Sequence, residues 1–287
     1  MKFKKTISFI LILILLGIVS RGIDTYSAKF LDARYQRQNG VIIGTEEIYL
    51  ENGQDAILLI HGLTANPNSV REMADYLYQR GYTVYAPVIK GHGTSVFDLE
   101  KTNYLDWRKS AEDAYYKLAK NHKKIYVVGT SLGGLLSLDI ASNHEVSGLI
   151  VVNTPMEINS DLIELLPLIY LVSPYNIRGL FSLEELPIAT ELKLYDTLPL
   201  KSVAQLKSYL EFVKPQLKKI NSPIFVVQSS KDDIVKPESA MIILNNVNSS
   251  VKEALILEDS THINIVNKEK ELLKQRSYKF LKGISNF

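Results

Sequence analysis

A serine between two glycines is the first feature of this sequence that could carry out chemistry. Gly129-Thr130-Ser131-Leu132-Gly133 fits the pattern Gly-x-Ser-x-Gly, which places a nucleophilic serine on a tight turn between a strand and a helix. The apolar run at 125–128 predicts the strand, and residues 132–141 predict the helix. We therefore predict that Ser131 is a nucleophile. The alternative is a serine in an ordinary glycine-rich turn of an α/β fold.

A serine nucleophile needs a base and an acid, and both follow the serine along the chain where it stands on a strand-to-helix turn of this kind. Of the five histidines, only His262 lies beyond the late predicted strands, in a loop after residues 254–257. The acid is expected after the strand at 223–227, where Asp232 and Asp233 are adjacent candidates. The predicted base is therefore His262, whose alternative role is that of a surface-loop histidine.

A second loop predicts the groups that stabilise a developing oxyanion. His61-Gly62-Leu63 ends the apolar run at 56–60. The N–H group of Leu63 is expected to act with that of Leu132, the residue after the nucleophile, as the oxyanion hole. His61 is interpreted as structural, and the loop containing His92 (residues 90–93) as shaping the site.

The elements that position these residues alternate between strand and helix from about residue 45. Nearly continuous apolar strands separated by amphipathic helices predict a mostly parallel sheet with helices on both faces. Residues 153–217 interrupt the alternation with Leu, Ile, Tyr, Pro and short helical stretches. We interpret them as an inserted helical lid within a domain at 45–287. The apolar side chains of the lid are expected to pack it onto the domain or to line an acyl pocket, which would favour apolar esters.

The N-terminus has the pattern of a targeting segment. Lys2, Lys4 and Lys5 precede an apolar run at 7–19, as in a signal peptide or a signal-anchor helix. Residues 1–22 are thus predicted to be one of these, and residues 23–44 a linker; the alternative is a buried core helix. The prediction implies a membrane partner through this helix, with the catalytic domain outside the cell membrane, or secretion after cleavage.

Charge and composition exclude several classes of function. Four basic residues lie in the acid-free first 22 positions, which leaves 29 basic against 31 acidic residues in the rest of the chain. No basic face for nucleic acid is therefore expected. The absence of cysteine excludes disulfides and thiolate metal ligands. Dinucleotide and phosphate-loop glycine patterns are missing as well.

Taken together, the motifs resemble a known family. His-Gly-Leu at 61–63, Lys-Gly-His-Gly at 90–93, Gly-Thr-Ser-Leu-Gly-Gly at 129–134, Lys-Asp-Asp-Ile-Val-Lys-Pro at 231–237 and Ser-Thr-His at 260–262 occur in this order. From about residue 55 to the C-terminus the chain resembles the small bacterial carboxylesterases and monoacylglycerol lipases of the α/β-hydrolase superfamily. In that family the acid heads an Asp-x-x-Val/Ile-x-Pro stretch, which favours Asp232. Thr261 stands where the family usually has glycine.

The resemblance implies an α/β-hydrolase fold, an acyl-enzyme on Ser131, no metal and no organic cofactor. The expected substrate is a small ester, of short-to-medium acyl length, or a monoacylglycerol. Two alternatives stay open at this point: an acyltransferase that uses the same triad, and a non-catalytic binding scaffold of the same fold. The oligomeric state is not predicted.

Overall fold

The computed structural model describes residues 2–160, 163–176, 186–263 and 269–285, and only the main chain at 2–14. Its strands are β1 Arg37–Gln38, β2 Val41–Ile42, β3 Ile48–Leu50, β4 Ala56–Ile60, β5 Thr83–Ala86, β6 Ile125–Thr130, β7 Gly148–Val152, β8 Tyr175–Asn176, β9 Leu198–Pro199, β10 Ile224–Ser229 and β11 Lys252–Leu257. Its helices are α1 Lys2–Asp32, α2 Arg71–Tyr78, α3 Val96–Lys101, α4 Tyr104–Ala119, α5 Leu132–Asn143, α6 Leu166–Val172, α7 Leu186–Glu191, α8 Leu200–Val213, α9 Ser239–Asn246 and α10 Lys270–Ile284. Short 3-10 helices cover Pro67–Val70, Ile163–Leu165 and Lys214–Lys219.

The central sheet has the strand order β11-β10-β7-β6-β4-β5-β3 among the described residues. Neighbouring strands are parallel, except that β3 pairs with β5 in the antiparallel sense. Strands β4 and β7 are buried along their whole length, as expected when helices cover both faces of a parallel sheet. The predicted fold class, an α/β-hydrolase fold with a mostly parallel sheet, is confirmed.

Alternate residues of each central strand enter two separate cores. In β4, Leu58 and Ile60 join the core beneath α4, α5 and α8, whereas Ile57 and Leu59 join the core beneath α2 and α10. Trp107 of α4 is a large, fully buried member of the first core. Because side chains alternate along a strand, a continuous apolar run supplies both layers at once.

The segment between β7 and β10 contains the predicted lid. Its described parts form α6, α7 and α8 together with a two-residue antiparallel pair, β8 and β9. The sequence analysis predicted the short helices but not this strand pair. Residues 161–162 and 177–185 of the predicted lid lie outside the described residues. Helix α8 packs on α4 and α5, so the segment is anchored to the helices of the main domain.

The N-terminal region packs on this inserted segment. Helix α1 continues past residue 22 to Asp32 as a single helix. The Arg21 guanidinium donates to the carbonyl oxygen of Tyr170 at 2.8 Å, and the Ser173 hydroxyl donates to Asp24 at 2.5 Å. Residues 23–44, predicted as a linker, therefore contain the end of α1 and the β1–β2 hairpin.

The predicted membrane location is wrong. No helix within the described ranges is both long enough and apolar enough to cross a bilayer. The apolar run at 7–19 is shorter than the roughly 20 residues that a spanning helix needs, and Arg21, Asp24 and Lys29 follow it in the same helix. Neither the single-pass location and membrane partner nor the secreted alternative predicted from this segment is retained.

Candidate active site

Ser131 stands on the turn between β6 and α5, with φ 55° and ψ −118°. This backbone conformation is strained for a residue with a side chain. A hydrogen bond of 2.9 Å from its N–H to the carbonyl oxygen of Val152 anchors the turn to β7. The hydrogen bond to β7 thus maintains the strained conformation. The turn places the Ser131 hydroxyl at the carboxyl edge of the strands.

The flanking glycines are required by close main-chain contacts. A side chain at Gly129 would overlap the main chain of Gly133, and one at Gly133 would overlap the carbonyl group of Ile60. The turn can close only because these positions lack a Cβ atom. The Gly-x-Ser-x-Gly spacing is therefore a packing requirement of the strand–turn–helix unit.

The structure brings the three predicted triad residues together. The Nε2 atom of His262 lies 3.0 Å from the Ser131 hydroxyl oxygen, and its Nδ1 atom lies 2.8 Å from Oδ2 of Asp232. A carboxylate can only accept, so Nδ1 carries the proton and Nε2 accepts from the serine hydroxyl. The Asp232 side chain is fully buried and that of His262 is 10% exposed.

The loop after β10 fixes the Asp232 carboxylate from its other side. Its Oδ1 atom accepts from the main-chain N–H groups of Ile234 at 3.0 Å and Val235 at 2.8 Å. The Gln228 side chain donates to Oδ2 at 3.3 Å. Asp233, the other candidate acid, is exposed. Of the two adjacent aspartates, Asp232 is the one in contact with His262.

Asn153 is a further polar residue at this edge, and the sequence analysis missed it. It follows β7 directly, is fully buried, and has φ 46°. Its side chain contacts both Ser229, at the end of β10, and the main chain of His262. The available signal was an asparagine placed immediately after a buried strand, at the edge where the other site residues lie.

The two N–H groups predicted to form the oxyanion hole belong to a helix start and to a loop that lines the cavity. Leu132 is the first residue of α5, so its N–H group has no acceptor within the helix. Leu63 lines the cavity at Ser131. Beside it, a Cβ atom on Gly62 would lie 3.4 Å from that of Ser131, so this loop approaches the nucleophile closely. The role of both amides stays a prediction.

Two buried histidines lie behind this loop and outside the triad. The rings of His61 and His92 meet edge to face, 5.0 Å apart. Burial lowers the pKa of His61 to about 4. Burial, together with His61, lowers the pKa of His92 to about 3. Both imidazoles are therefore neutral at pH 7. The structural role of His61 and the site-shaping role of the loop containing His92 stay predictions.

A cavity of about 260 Å³ opens onto Ser131 and His262. Apolar side chains from the segment between β7 and β10 line one part of it: Ile158, Leu192, Leu194, Leu198, Val203 and Leu206. Around α2 and α10, Met73 and Leu273 line another part, with the charged groups of Glu72, Lys270 and Lys274 beside them. The cavity thus joins a polar reacting centre to a largely apolar wall.

No cluster of three or more His, Asp or Glu side chains able to hold a metal ion occurs within the ranges that the structure describes. The convergent groups are a hydroxyl, an imidazole and a carboxylate in one hydrogen-bonded row. Such a row can move a proton away from a serine oxygen.

Comparisons with known proteins agree with this architecture. A sequence model of the α/β-hydrolase fold family matches residues 55–181. The chain is 32% identical to a thermostable monoacylglycerol lipase of Bacillus sp. (strain H-257), over 85% of this chain and 96% of the relative. It is also 32% identical to a carboxylesterase of Bacillus subtilis (strain 168), over 85% of this chain and 98% of the relative.

The fold is similar to that of a metagenome-derived lipolytic enzyme. The two structures superpose with a TM-score of 0.75 at 25% identity, covering 85% of this chain and 99% of the other. The sequence identity extends over nearly the whole length of both Bacillus relatives. The chain therefore belongs to the carboxylesterase and monoacylglycerol lipase family of the α/β-hydrolase superfamily, a family of carboxylic ester hydrolases.

Proposed function

We propose that this carboxylic ester hydrolase cleaves its substrate through an acyl-enzyme on Ser131. His262 acts as the general base and acid, and Asp232 orients it. The observation that carries the proposal is the continuous hydrogen-bonded row from the Ser131 hydroxyl through His262 to Asp232, with distances of 3.0 and 2.8 Å. These distances are those of well-formed hydrogen bonds.

In the first half of the reaction the Ser131 oxygen attacks the ester carbonyl carbon while His262 Nε2 takes the hydroxyl proton. The carbonyl oxygen becomes an oxyanion, for which the N–H groups of Leu63 and Leu132 are the proposed donors. When the carbon–oxygen bond to the alcohol breaks, His262 returns the proton to the departing oxygen. The buried Asp232 carboxylate stabilises the transient imidazolium.

In the second half a water molecule takes the place of the alcohol. His262 removes a proton from this water as it attacks the acyl carbon, and then protonates Ser131 as the bond to the acyl group breaks. The products are a carboxylic acid and the regenerated serine. One base, used in both directions, therefore serves both halves of the reaction.

The proposed substrates are esters with an uncharged acyl chain, of short-to-medium length, or monoacylglycerols. The apolar wall of the cavity supports this choice, because burying a methylene group is favourable by about 0.8 kcal/mol whereas burying an unpaired charge is costly. The names of the two Bacillus relatives agree with it. Residues 153–217 would act as the lid that supplies much of this wall.

Covalent labelling tests the nucleophile. A fluorophosphonate is expected to label the wild-type protein at one serine and to leave Ser131→Ala unlabelled. Hydrolysis of p-nitrophenyl esters and monoacylglycerols of increasing acyl length, with Ser131→Ala as control, should show turnover that depends on Ser131. A folded Ser131→Ala protein that is still labelled, or still hydrolyses these esters, would refute the assignment. Product analysis with and without added glycerol shows whether water or an alcohol accepts the acyl group.

A further inference from the structure

Asn153 joins the three chain segments that converge at the proposed active site. It follows β7, whose residue Val152 receives the hydrogen bond from the Ser131 N–H. Its Oδ1 atom accepts from the Ser229 N–H at 2.7 Å, and its Nδ2 atom donates to the Ser229 hydroxyl oxygen at 3.1 Å. The same Nδ2 atom donates to the carbonyl oxygen of His262 at 3.3 Å. One amide side chain thus connects the strand before the acid loop to the main chain of the base.

These contacts bear directly on where His262 can lie. Ser229 is the last residue of β10 and stands three positions before Asp232. The His262 carbonyl belongs to the residue whose ring must reach both Ser131 and Asp232. Displacing a reacting group by about 1 Å can cost about 100-fold in rate. A hydrogen bond to the main chain of the base is therefore well placed to limit such displacement.

We propose that Asn153 is a positioning residue for the reaction: its amide holds the main chain of His262 at a fixed distance from β10 and so keeps the imidazole between Ser131 and Asp232. The inference rests on the function proposed for these three residues. Asn153 itself is not among the residues that line the cavity at Ser131. It acts on the substrate only through the base.

The chemistry of the site explains why the residue is an asparagine. The side chain has to accept from one N–H group and donate to a carbonyl oxygen at the same time, which an amide can do and a carboxylate or hydrocarbon cannot. The main chain at φ 46° is in a region that asparagine tolerates better than most residues. Its complete burial makes each of these hydrogen bonds costly to lose.

Asn153→Asp is the sharpest test, because it keeps the shape and the acceptor for the Ser229 N–H but replaces the donor that faces His262. The concentration of active sites is first titrated with a fluorophosphonate, so that kcat is calculated per active site and unfolded protein does not lower it. We expect kcat to fall about 10- to 100-fold with KM unchanged within about twofold. The rate constant for fluorophosphonate labelling should fall by a similar factor, and the acid limb of the pH profile of kcat/KM should move.

Asn159→Asp is the matched control. Asn159 is exposed in the same connection, and its amide donates to the carbonyl oxygen of Asp233 at 3.3 Å. This variant should keep wild-type kcat and KM within about twofold. If Asn153→Asp does not fold, Asn153→Gly, which tolerates the positive φ and lacks the amide, takes its place with the same expectations.

Several outcomes would overturn the inference. One is a folded Asn153 variant with wild-type kcat and labelling rate, and another is a raised KM with unchanged kcat. Failure of both Asn153 variants to fold would assign the residue to the fold alone. Ser131→Ala, measured in parallel, separates this result from the proposed function: activity in that variant would refute the acyl-enzyme itself, whereas inactivity beside a normal Asn153 variant would refute only the positioning role.

Discussion

The Nδ1 atom of His61 lies 2.9 Å from the carbonyl oxygen of Gly62. On the other side of the ring, Nε2 accepts from the Ile89 N–H at 3.3 Å. The Gly62 carbonyl and the Leu63 N–H belong to one peptide unit, and no peptide bond in the described ranges is cis. The two groups therefore point in opposite directions. By holding the carbonyl oxygen, His61 turns the Leu63 N–H away from itself.

Replacing His61 should therefore weaken the proposed oxyanion hole. In His61→Leu the donor to Gly62 is lost, and we expect kcat to fall by about 100-fold, the cost of one missing oxyanion donor, with a smaller change in KM. His61→Asn can still donate from a position close to Nδ1 and should recover part of the rate. Steady-state kinetics of both variants checks this. Equal rates in His61→Leu and the wild type would contradict it.

The two adjacent aspartates offer a matched pair of substitutions. Asp232→Asn should lower kcat by about 10⁴-fold, because an amide can donate to His262 and favour the wrong tautomer. Asp233→Asn changes an exposed carboxylate one residue away and should alter kcat by less than about twofold. Ester hydrolysis at pH 7 measures both. A larger loss in Asp233→Asn would mean that the acid has been assigned to the wrong residue.

The cavity wall should set the preferred acyl length. Val203 of α8 lines the cavity, and Val203→Phe would fill part of it. We expect the optimum in a p-nitrophenyl ester series to move to shorter chains, with turnover of the shortest esters retained. Ser208→Phe adds the same side chain at an exposed position of the same helix and serves as control. An unchanged chain-length profile in Val203→Phe would show that the acyl chain lies elsewhere.

The buried histidine pair should make the fold sensitive to acid. Burial lowers the pKa of His61 to about 4 and of His92 to about 3, from 6.5 when unperturbed. Below pH 6.5 the unfolded chain binds protons that the folded protein does not, so the free energy of unfolding decreases as the pH falls towards these values. From pH 6.5, where the unfolded histidines are half protonated, to pH 5 the pair should cost about 3 kcal/mol, since each group contributes at most roughly 1.4 kcal/mol per pH unit.

His92→Asn removes one of these groups while keeping a donor for the carbonyl oxygen of Ile89, which His92 Nδ1 contacts at 3.1 Å. The pair's share of the loss between pH 6.5 and pH 5 should then shrink by about half, because only the contribution of His61 remains in it. Urea unfolding at the two pH values measures the change in the free energy of unfolding of each protein. Other titrating groups are common to both proteins, so their contributions cancel when the two changes are compared. An identical loss in the variant and the wild type would contradict the prediction.

Much of the fold and of the candidate site is determined by local patterns in the sequence. Continuous apolar runs identify the buried strands, since such a run serves both faces of a sheet. The glycines at 129 and 133 indicate the turn that carries Ser131, because a Cβ atom at either position would overlap the neighbouring main chain. His262 is indicated by its place after the last strand. The motif order then identifies the family, whose pattern singles out Asp232.

Other features depend on contacts between distant parts of the chain. Asn153 bridges to a residue 76 positions away and to another 109 positions away, and no periodicity predicts such a pairing. In the N-terminal segment a local pattern was misleading, since its basic start and apolar run match a targeting segment. In the structure α1 continues to Asp32, and its Arg21 donates to the carbonyl oxygen of Tyr170, 149 positions away. Strand order decides which loops become neighbours at the sheet edge, and hydrogen bonds between those loops form only after the chain has folded. Sequence periodicity indicates which residues are buried, whereas only the tertiary structure determines which buried polar groups form hydrogen bonds with one another.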